Sequence, residues 1–210
     1  MKLLVSGATA TMRRYADSCK DVLGVLVVPG AKNDPQKNAD MGLSMAADNG
    51  AFSGLDEEAF TRMLQLYRDA RIKLLWVACP DVVADGMATL MEWAKWSWII
   101  EDYGFRPCMV LQDGMDIETV IAFDPPAVFV GGSTEFKLGS VAADIVRWAR
   151  ASARPAHMGR VNTKSRIEYA YSLGCTSVDG SGFSKWPDIR IPLGIRWIRE
   201  AKAKALTQGE

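Results

Sequence analysis

The sequence predicts an α/β protein, a compact (β/α)8 barrel of the TIM type that forms a single domain over residues 1–210. Eight short apolar runs recur along the chain, and stretches with helical spacing lie between most of them. Most runs are apolar throughout rather than alternating, which is typical of parallel strands buried on both faces. An open doubly wound sheet is the alternative. The chain has no GxGxxG or GxxxxGKS/T loop, which disfavours the common nucleotide-binding folds.

The apolar runs define the predicted strands. They cover residues 2–5, 24–28, 44–47, 74–78, 108–112, 127–130, 155–158 and 175–178. Apolar residues at helical spacing predict helices over residues 56–70, 87–103, 141–151, 164–173 and 191–206. Asp56 is the predicted N-cap of the first of these helices, and Gly174 is expected to end the fourth. Residues 29–42 are predicted to be a loop, residues 113–126 leave room for a short helix, and residues 207–210 are expected to fray.

Composition excludes several classes of protein. Lys and Arg number 25, as do Asp and Glu, so the net charge is zero, which argues against a broad nonspecific nucleic-acid coat but leaves a local cationic groove open. The four cysteines form no CxxC pair and His157 is the single histidine, so we expect no structural zinc site. No apolar run is long enough to span a membrane or to form a signal peptide, and we expect a reducing, cytoplasmic location.

Some conspicuous residues are predicted to be structural. Trp93, Trp96 and Ile100 share a helix face, which predicts packing against the barrel, with a partner interface as the alternative. Cys79 and Cys175 lie in or beside apolar runs and are predicted to be buried. His157 is predicted to be a hydrogen-bonded residue at a strand end, with a catalytic base as the lesser option. Glu135 and Lys137 fall on the predicted loop after the sixth strand and receive no assigned role.

Polar residues follow six of the predicted strands. The segments are DNGAF after the third strand, PD after the fourth, QDG after the fifth, GGST after the sixth, HMGR at the seventh and DGSG after the eighth. Any one of these is ordinary turn chemistry. Because barrel enzymes build their sites at the carboxyl ends of the strands, six such segments on one rim predict an active site.

In this order, the segments DNGAF, CPD, LQDG, VGGST, HMGR and SVDGSG resemble the tRNA-guanine transglycosylase superfamily. They are more similar to its DNA-modifying branch, the phage-type 7-deazaguanine DNA transglycosylases. The resemblance runs from about residue 44 to residue 183 and implies a (β/α)8 barrel that exchanges bases. In the family, an Asp attacks C1′ of a guanosine nucleotide and releases guanine, and a 7-deazaguanine then displaces the Asp. For a phage-encoded member, the location implied is the host cytoplasm.

The resemblance implies roles for individual residues. Asp179 matches the nucleophile and Asp48 the general acid/base, while Phe52 and Met158 match the groups on the two faces of the base. Gly159, which follows Met158, is also expected to bind the base. The guanine edge would be read by Asp81 and Gln112 and approached by the backbone amides of Gly131 and Gly132. From their positions after the strands, we expect phosphate contacts from Arg160, Asn162, Lys164, Arg166, Ser181 and Lys185.

The chain departs from the tRNA enzymes in three ways. It is shorter, it lacks their Cys/His zinc site, and residues 180–183 replace the Pro-Thr-Arg that follows their nucleophile. These departures favour DNA over tRNA as substrate.

The expected activity is exchange of guanine in DNA for a free 7-deazaguanine base such as 7-cyano-7-deazaguanine, with no metal and no cofactor. A homodimer or a partner protein is possible on this hypothesis. Three alternatives stay open: the same chemistry on RNA, a non-catalytic nucleic-acid-binding barrel, and an N-glycosidase that releases guanine into water.

Overall fold

Eight parallel strands close into a barrel in the order in which they occur in the chain, which confirms the predicted fold class. The computed structural model describes residues 1–31 and 34–208, with Gln208 described by its backbone alone. The strands are β1 (Lys2–Val5), β2 (Leu23–Val27), β3 (Ser44–Ala47), β4 (Val77–Ala78), β5 (Pro107–Leu111), β6 (Val128–Val130), β7 (Ala156–Met158) and β8 (Ser177–Asp179). Strand β8 pairs with β1, with Asp179 opposite Leu4, and so closes the barrel.

Helices cover the outside of the barrel. They are α1 (Thr9–Cys19), α2 (Pro35–Ala39), α3 (Glu57–Asp69), α4 (Gly86–Asp102), α5 (Ile117–Phe123), α6 (Thr134–Leu138), α7 (Ser140–Ala151), α8 (Lys164–Leu173), α9 (Ser181–Lys185) and α10 (Pro187–Gln208). Asp56 caps α3 by accepting a hydrogen bond from the Ala59 amide, and Gly174 ends α8 in the left-handed conformation, both as predicted.

Several boundaries differ from the prediction. Helix α1 was not predicted, and no side chain caps its start, where Ala8 is left-handed. Helix α2 lies inside the predicted loop over residues 29–42, although Asp34 caps it and Pro35 opens it. Strand β4 is shorter than residues 74–78, because it pairs with β3 at Ala47–Val77 and with β5 at residues 77–78. The tail expected to fray is helical through Gln208, since α10 continues to that residue; residues 209–210 lie outside the described residues.

The barrel separates two apolar layers. Alternate strand residues point inward, where Leu4, Leu26, Trp76 and Val110 fill the barrel, or outward, where they pack against the helices. Trp93, Trp96 and Ile100 are buried in the outer layer, so their predicted packing against the barrel is confirmed. Cys79 and Cys175 are buried as predicted, and burial raises the pKa of the Cys175 thiol to about 12. Within the described residues, no helix is long and apolar enough to cross a membrane.

The outer layer gives a first testable prediction. Phe60 of α3 is fully buried and meets Trp96 of α4 edge-on, with ring centroids 5.3 Å apart. Phe60→Ala should lower the free energy of unfolding by about 3–5 kcal/mol, because it removes this contact and leaves a cavity. Urea unfolding measures the change. Leu66→Ala on the same helix is the matched control, because Leu66 is 44% exposed. An equal loss in both variants would contradict the packing.

Candidate active site

A cavity of about 460 Å³ opens at the carboxyl ends of the strands. Its walls include residues that follow each of the six strands for which polar segments were predicted. They are Asp48, Asn49, Gly50, Phe52, Asp81, Gln112, Gly131, Gly132, Gly159, Arg160, Asp179, Gly180 and Ser181. The closure of the barrel brings these residues together from positions spread over most of the chain. The rim predicted from the sequence is therefore a single concave site.

Asp179, the last residue of β8, is held by contacts to one of its two carboxylate oxygens. Its Oδ1 accepts a hydrogen bond from the Arg160 backbone N–H at 2.8 Å and lies 3.4 Å from His157 Nε2. Within residues 1–31 and 34–208, no hydrogen bond reaches Oδ2. His157 is fully buried among Trp76 and Phe129, and its Nδ1 lies 2.9 Å from Ser177 Oγ. His157 is thus a hydrogen-bonded strand residue that positions Asp179.

Asp48 has a different environment from Asp179, although both face the same cavity. Its Oδ1 accepts a hydrogen bond from the Asn49 backbone N–H at 2.9 Å. Burial raises the pKa of Asp48 to about 7, and the negative charge of Asp179 adds to the rise. At neutral pH the Asp48 carboxyl can therefore both give and take a proton, as a general acid/base must.

Asp81 lies at the centre of a hydrogen-bonded network. Asn49 Nδ2 donates to Asp81 Oδ1 at 2.6 Å and Gln112 Nε2 donates to Asp81 Oδ2 at 2.5 Å. Burial raises the pKa of Asp81, and these two hydrogen bonds oppose the rise. Asn49 is buried, and its Nδ2 also donates to the Cys79 carbonyl. It therefore connects the segment that follows β3 to the segment that follows β4. No role was predicted for Asn49, although it stands beside Asp48 in the DNGAF segment.

The roles expected of Gln112, Gly131 and Gly132 have different outcomes in the structure. Gln112 Oε1 accepts from the Ala84 N–H at 2.9 Å, which leaves one amide hydrogen of Gln112 for a ligand. The Gly131 N–H donates to the Leu111 carbonyl at 3.0 Å, so it is already used within the barrel and does not approach a base as predicted. Among the described residues, the Gly132 N–H has no partner. Gly132 has φ of +68°, and a Cβ there would lie 2.8 Å from Asp113 Oδ2.

Met158 does not face the cavity, so its expected contact with the base is wrong. It is 2% exposed and packs in the outer layer between barrel and helices. Side chains alternate along a strand, and in β7 the inward position belongs to His157. Gly159, the next residue, does line the cavity. A Cβ at Gly159 would come within 2.5 Å of the Phe129 ring.

Phe52 and Arg160 meet across the mouth of the cavity. Phe52 lies on a 3-10 turn (Ala51–Ser53) and is 72% exposed, and the Arg160 guanidinium lies 5.1 Å from the centre of its ring. They follow β3 and β7, which stand opposite each other in an eight-stranded barrel. Arg160 Nη2 also donates to the Gly132 carbonyl at 2.5 Å. An exposed aromatic ring at the mouth of a cavity suits stacking on a planar ligand.

The expected phosphate contacts are only partly at the cavity. Arg160 and Ser181 line it. Asn162 instead uses Oδ1 to accept from the Gly182 N–H at 2.9 Å and so anchors the loop after β8. Lys164 is paired with Glu200 of α10 at 2.7 Å. Arg166 and Lys185 lie outside the cavity lining.

Lys137 lines the cavity, although no role was predicted for it. It lies on α6, which begins where Ser133 Oγ accepts from the Phe136 N–H, and not on a loop as predicted. It is 6% exposed. Burial lowers the pKa of Lys137 to about 8, with the charge of Arg160 as the next cause. The Ser133 cap three residues after the end of β6 was the available signal for this helix.

Comparison with known proteins supports the fold. No protein-family model and no curated protein matches the chain. Among solved structures, phosphoribosyl anthranilate isomerase from Thermus thermophilus matches with a TM-score of 0.58 and 14% identity, over 98% of this chain and 100% of that one. 3-Hexulose-6-phosphate synthase from Salmonella typhimurium matches with a TM-score of 0.57 and 13% identity, over 97% of this chain and 98% of that one. A structure described as native KDPGal matches with a TM-score of 0.58 and 12% identity, over 98% of this chain and 95% of that one.

These likenesses establish a (β/α)8 barrel. At this level of identity they establish nothing about its reaction, because the same barrel carries many chemistries. The transglycosylase resemblance therefore stays a prediction.

Proposed function

We propose that this protein is a glycosyltransferase that exchanges guanine in DNA for a free 7-deazaguanine base, such as 7-cyano-7-deazaguanine, through a covalent Asp179 intermediate. The observation that carries the proposal is the pair of carboxyl groups in one cavity. Asp179 is fixed by donors on Oδ1, whereas Asp48 has a pKa of about 7. Base exchange with retention at C1′ requires a nucleophilic carboxylate and a separate acid/base group.

The first half of the proposed reaction releases guanine. An oxygen of Asp179 forms a bond to C1′ of the target nucleotide while the bond between C1′ and N9 breaks. The bonding pair leaves with guanine, and Asp48 donates its proton to the departing base. Oδ2 is the oxygen suited to the attack, because the Arg160 N–H and His157 hold Oδ1.

The second half reverses these steps with a different base. N9 of the 7-deazaguanine attacks C1′, the ester bond to Asp179 breaks, and the N9 proton passes to Asp48. Asp48 acts as acid in one half and base in the other, and a carboxyl with a pKa near 7 suits both roles. The sequence of steps regenerates both carboxyl groups.

Recognition of guanine is assigned to the network around Asp81. Asp81 offers acceptor oxygens for the N1–H and the 2-amino group of guanine, while the free hydrogen of Gln112 and the Gly132 N–H can donate to O6. Phe52 supplies a stacking face at the cavity mouth. In duplex DNA the target base must leave the stack to reach these groups, at a cost of a few kcal/mol.

A base-exchange assay tests the proposal. Purified protein is incubated with labelled guanine or labelled 7-cyano-7-deazaguanine. Each labelled base is combined, in separate reactions, with duplex DNA, single-stranded DNA or bulk tRNA. We expect the label to enter DNA but not tRNA. Label in tRNA alone would move the activity to RNA, and release of guanine without incorporation would indicate an N-glycosidase. Binding of DNA with neither reaction would indicate a non-catalytic barrel.

Phe52 gives a prediction that separates binding from folding. Phe52→Ala should leave the thermal unfolding temperature nearly unchanged, because the ring is 72% exposed. It should raise the KM for the incoming base by about 5- to 160-fold, because stacking on an aromatic ring contributes about 1–3 kcal/mol per base. Steady-state exchange kinetics measure the effect. Phe123→Ala is the control, because Phe123 is also an exposed phenylalanine, at 44%, but lies outside the cavity lining. An equal change in KM there would contradict the stacking role.

A further inference from the structure

Lys137 is a mostly buried cation with no ion-pair partner among the described residues. It is 6% exposed and lines the same cavity as Asp179. Within residues 1–31 and 34–208, its ammonium makes no hydrogen bond and has no carboxylate oxygen within 4.0 Å. Since the described residues include no fully buried side-chain nitrogen without a partner, the ammonium faces the cavity. An anion that enters the cavity can replace the little water that such a confined cation keeps.

Arg160 adds a second positive charge to the same cavity, which it lines together with Lys137. Arg160 directs Nη2 to the Gly132 carbonyl and not to a carboxylate. Neither the Lys137 ammonium nor the Arg160 guanidinium therefore forms an ion pair with a carboxylate among the described residues.

The two carboxylates whose charges act on Lys137 form no ion pair with it. Asp113 accepts hydrogen bonds from Ser133 Oγ at 2.6 Å and from the Ser133 N–H at 2.7 Å. Asp179 directs Oδ1 to the Arg160 N–H. The Asp113–Ser133 contacts also fix the start of α6, the helix that places Lys137 at the cavity wall. An anion that enters the cavity can therefore pair with Lys137 without displacing a carboxylate from it.

We propose that Lys137, together with Arg160, forms an anion subsite beside Asp179 that binds the phosphate on the sugar of the target nucleotide. The identity of the anion rests on the proposed function, whereas the subsite itself rests on the unpaired Lys137 and on Arg160 in the same cavity wall. If Asp179 attacks C1′, a phosphate on the same sugar lies a few bonds away. An ammonium and a guanidinium group together offer donors for several phosphate oxygens. A free base is neutral and has no use for the subsite.

Calorimetric titration tests the subsite without any need for catalysis. The ligands are 2′-deoxyguanosine, its 5′-monophosphate, and a dinucleotide in which the phosphate 5′ to the guanosine is a diester. The proteins are the unmodified chain, Lys137→Met, Lys137→Arg, and the matched control Lys204→Met, at an exposed lysine near the end of α10. Circular dichroism checks that each variant is folded.

We expect the unmodified chain to bind the two phosphorylated ligands about 10-fold or more tightly than the nucleoside. Lys137→Met should lose that advantage without change in nucleoside binding, while Lys137→Arg retains most of it and Lys204→Met all of it. Equal binding of nucleoside and nucleotides, no binding of any ligand, or an undiminished advantage in Lys137→Met would overturn the subsite. Binding of the monophosphate but not the diester would support the subsite and contradict DNA as substrate. Intact phosphate binding with no base exchange would contradict only the proposed function.

Discussion

Asp179→Asn is expected to abolish base exchange, with a loss of at least about 10⁴-fold in the rate of label incorporation into DNA. The substitution keeps the size of the side chain and its Oδ1 acceptor for the Arg160 N–H. It removes the charged oxygen that forms the bond to C1′. The measurement is single-turnover incorporation of labelled base, with covalent protein–DNA adduct followed on a denaturing gel. DNA binding should remain within a few-fold of the unmodified protein.

The matched control is Asp17→Asn, whose side chain is 98% exposed on α1. It should exchange bases at the unmodified rate. Three outcomes would count against a nucleophilic Asp179: exchange at more than about a tenth of the normal rate in Asp179→Asn, an adduct that persists in this variant, or an equal loss of exchange and of DNA binding. The last outcome would assign Asp179 to the structure of the site.

Asp48→Asn is expected to slow guanine release by about 10²- to 10⁴-fold, the usual contribution of a general acid. In the unmodified protein, the rate of the release step should be constant below about pH 7 and fall tenfold per pH unit above it. The reason is that Asp48, with its pKa of about 7, is protonated and able to donate only below that pH. Rapid-quench measurement of released guanine between pH 5.5 and 9 gives the profile.

The Asp48→Asn variant should release guanine slowly at every pH in this range, without the fall in rate above pH 7.

Folding offers a separate check. Because the folded-state pKa of Asp48 is raised above its ordinary value of 3.8, its contribution to stability is lost as the pH rises from about 4 to 7. Asp48→Asn should therefore be at least as stable as the unmodified chain at pH 8, and its slow release cannot be ascribed to unfolding. An unchanged fall in rate above pH 7 in the variant would assign that titration to another group.

Much of the fold was predictable because each element carries a local signal. Parallel strands in a barrel are buried on both faces, so they read as apolar runs, and all eight were found within a few residues. Asp56 and Gly174 marked helix ends through capping chemistry that involves near neighbours only. Helix α1 was not predicted, because no side chain caps its start. Its helical structure depends on packing against the barrel, which a local pattern does not reveal.

The candidate site was predictable as a set of positions but not as a set of contacts. Strand ends gather on one rim in any such barrel, so Asp48, Asp81 and Asp179 were expected to meet. Met158 was misjudged because neighbouring residues of a strand face opposite sides, and the apolar run does not show whether His157 or Met158 faces inward. The Gly131 amide was misjudged because its partner, Leu111, lies on the neighbouring strand.

The sequence by itself determined a (β/α)8 barrel and the carboxylates at its rim, because periodicity, caps and turn residues are local properties. The tertiary structure alone decided how each group behaves. Asp48 has a pKa near 7 because barrel closure buries it near the charge of Asp179. Lys137 has no ion-pair partner among the described residues, because α6 places it at the wall of the cavity that Arg160 also lines. Charge interactions and loss of water depend on distances through space, and those distances exist only once the strands have closed.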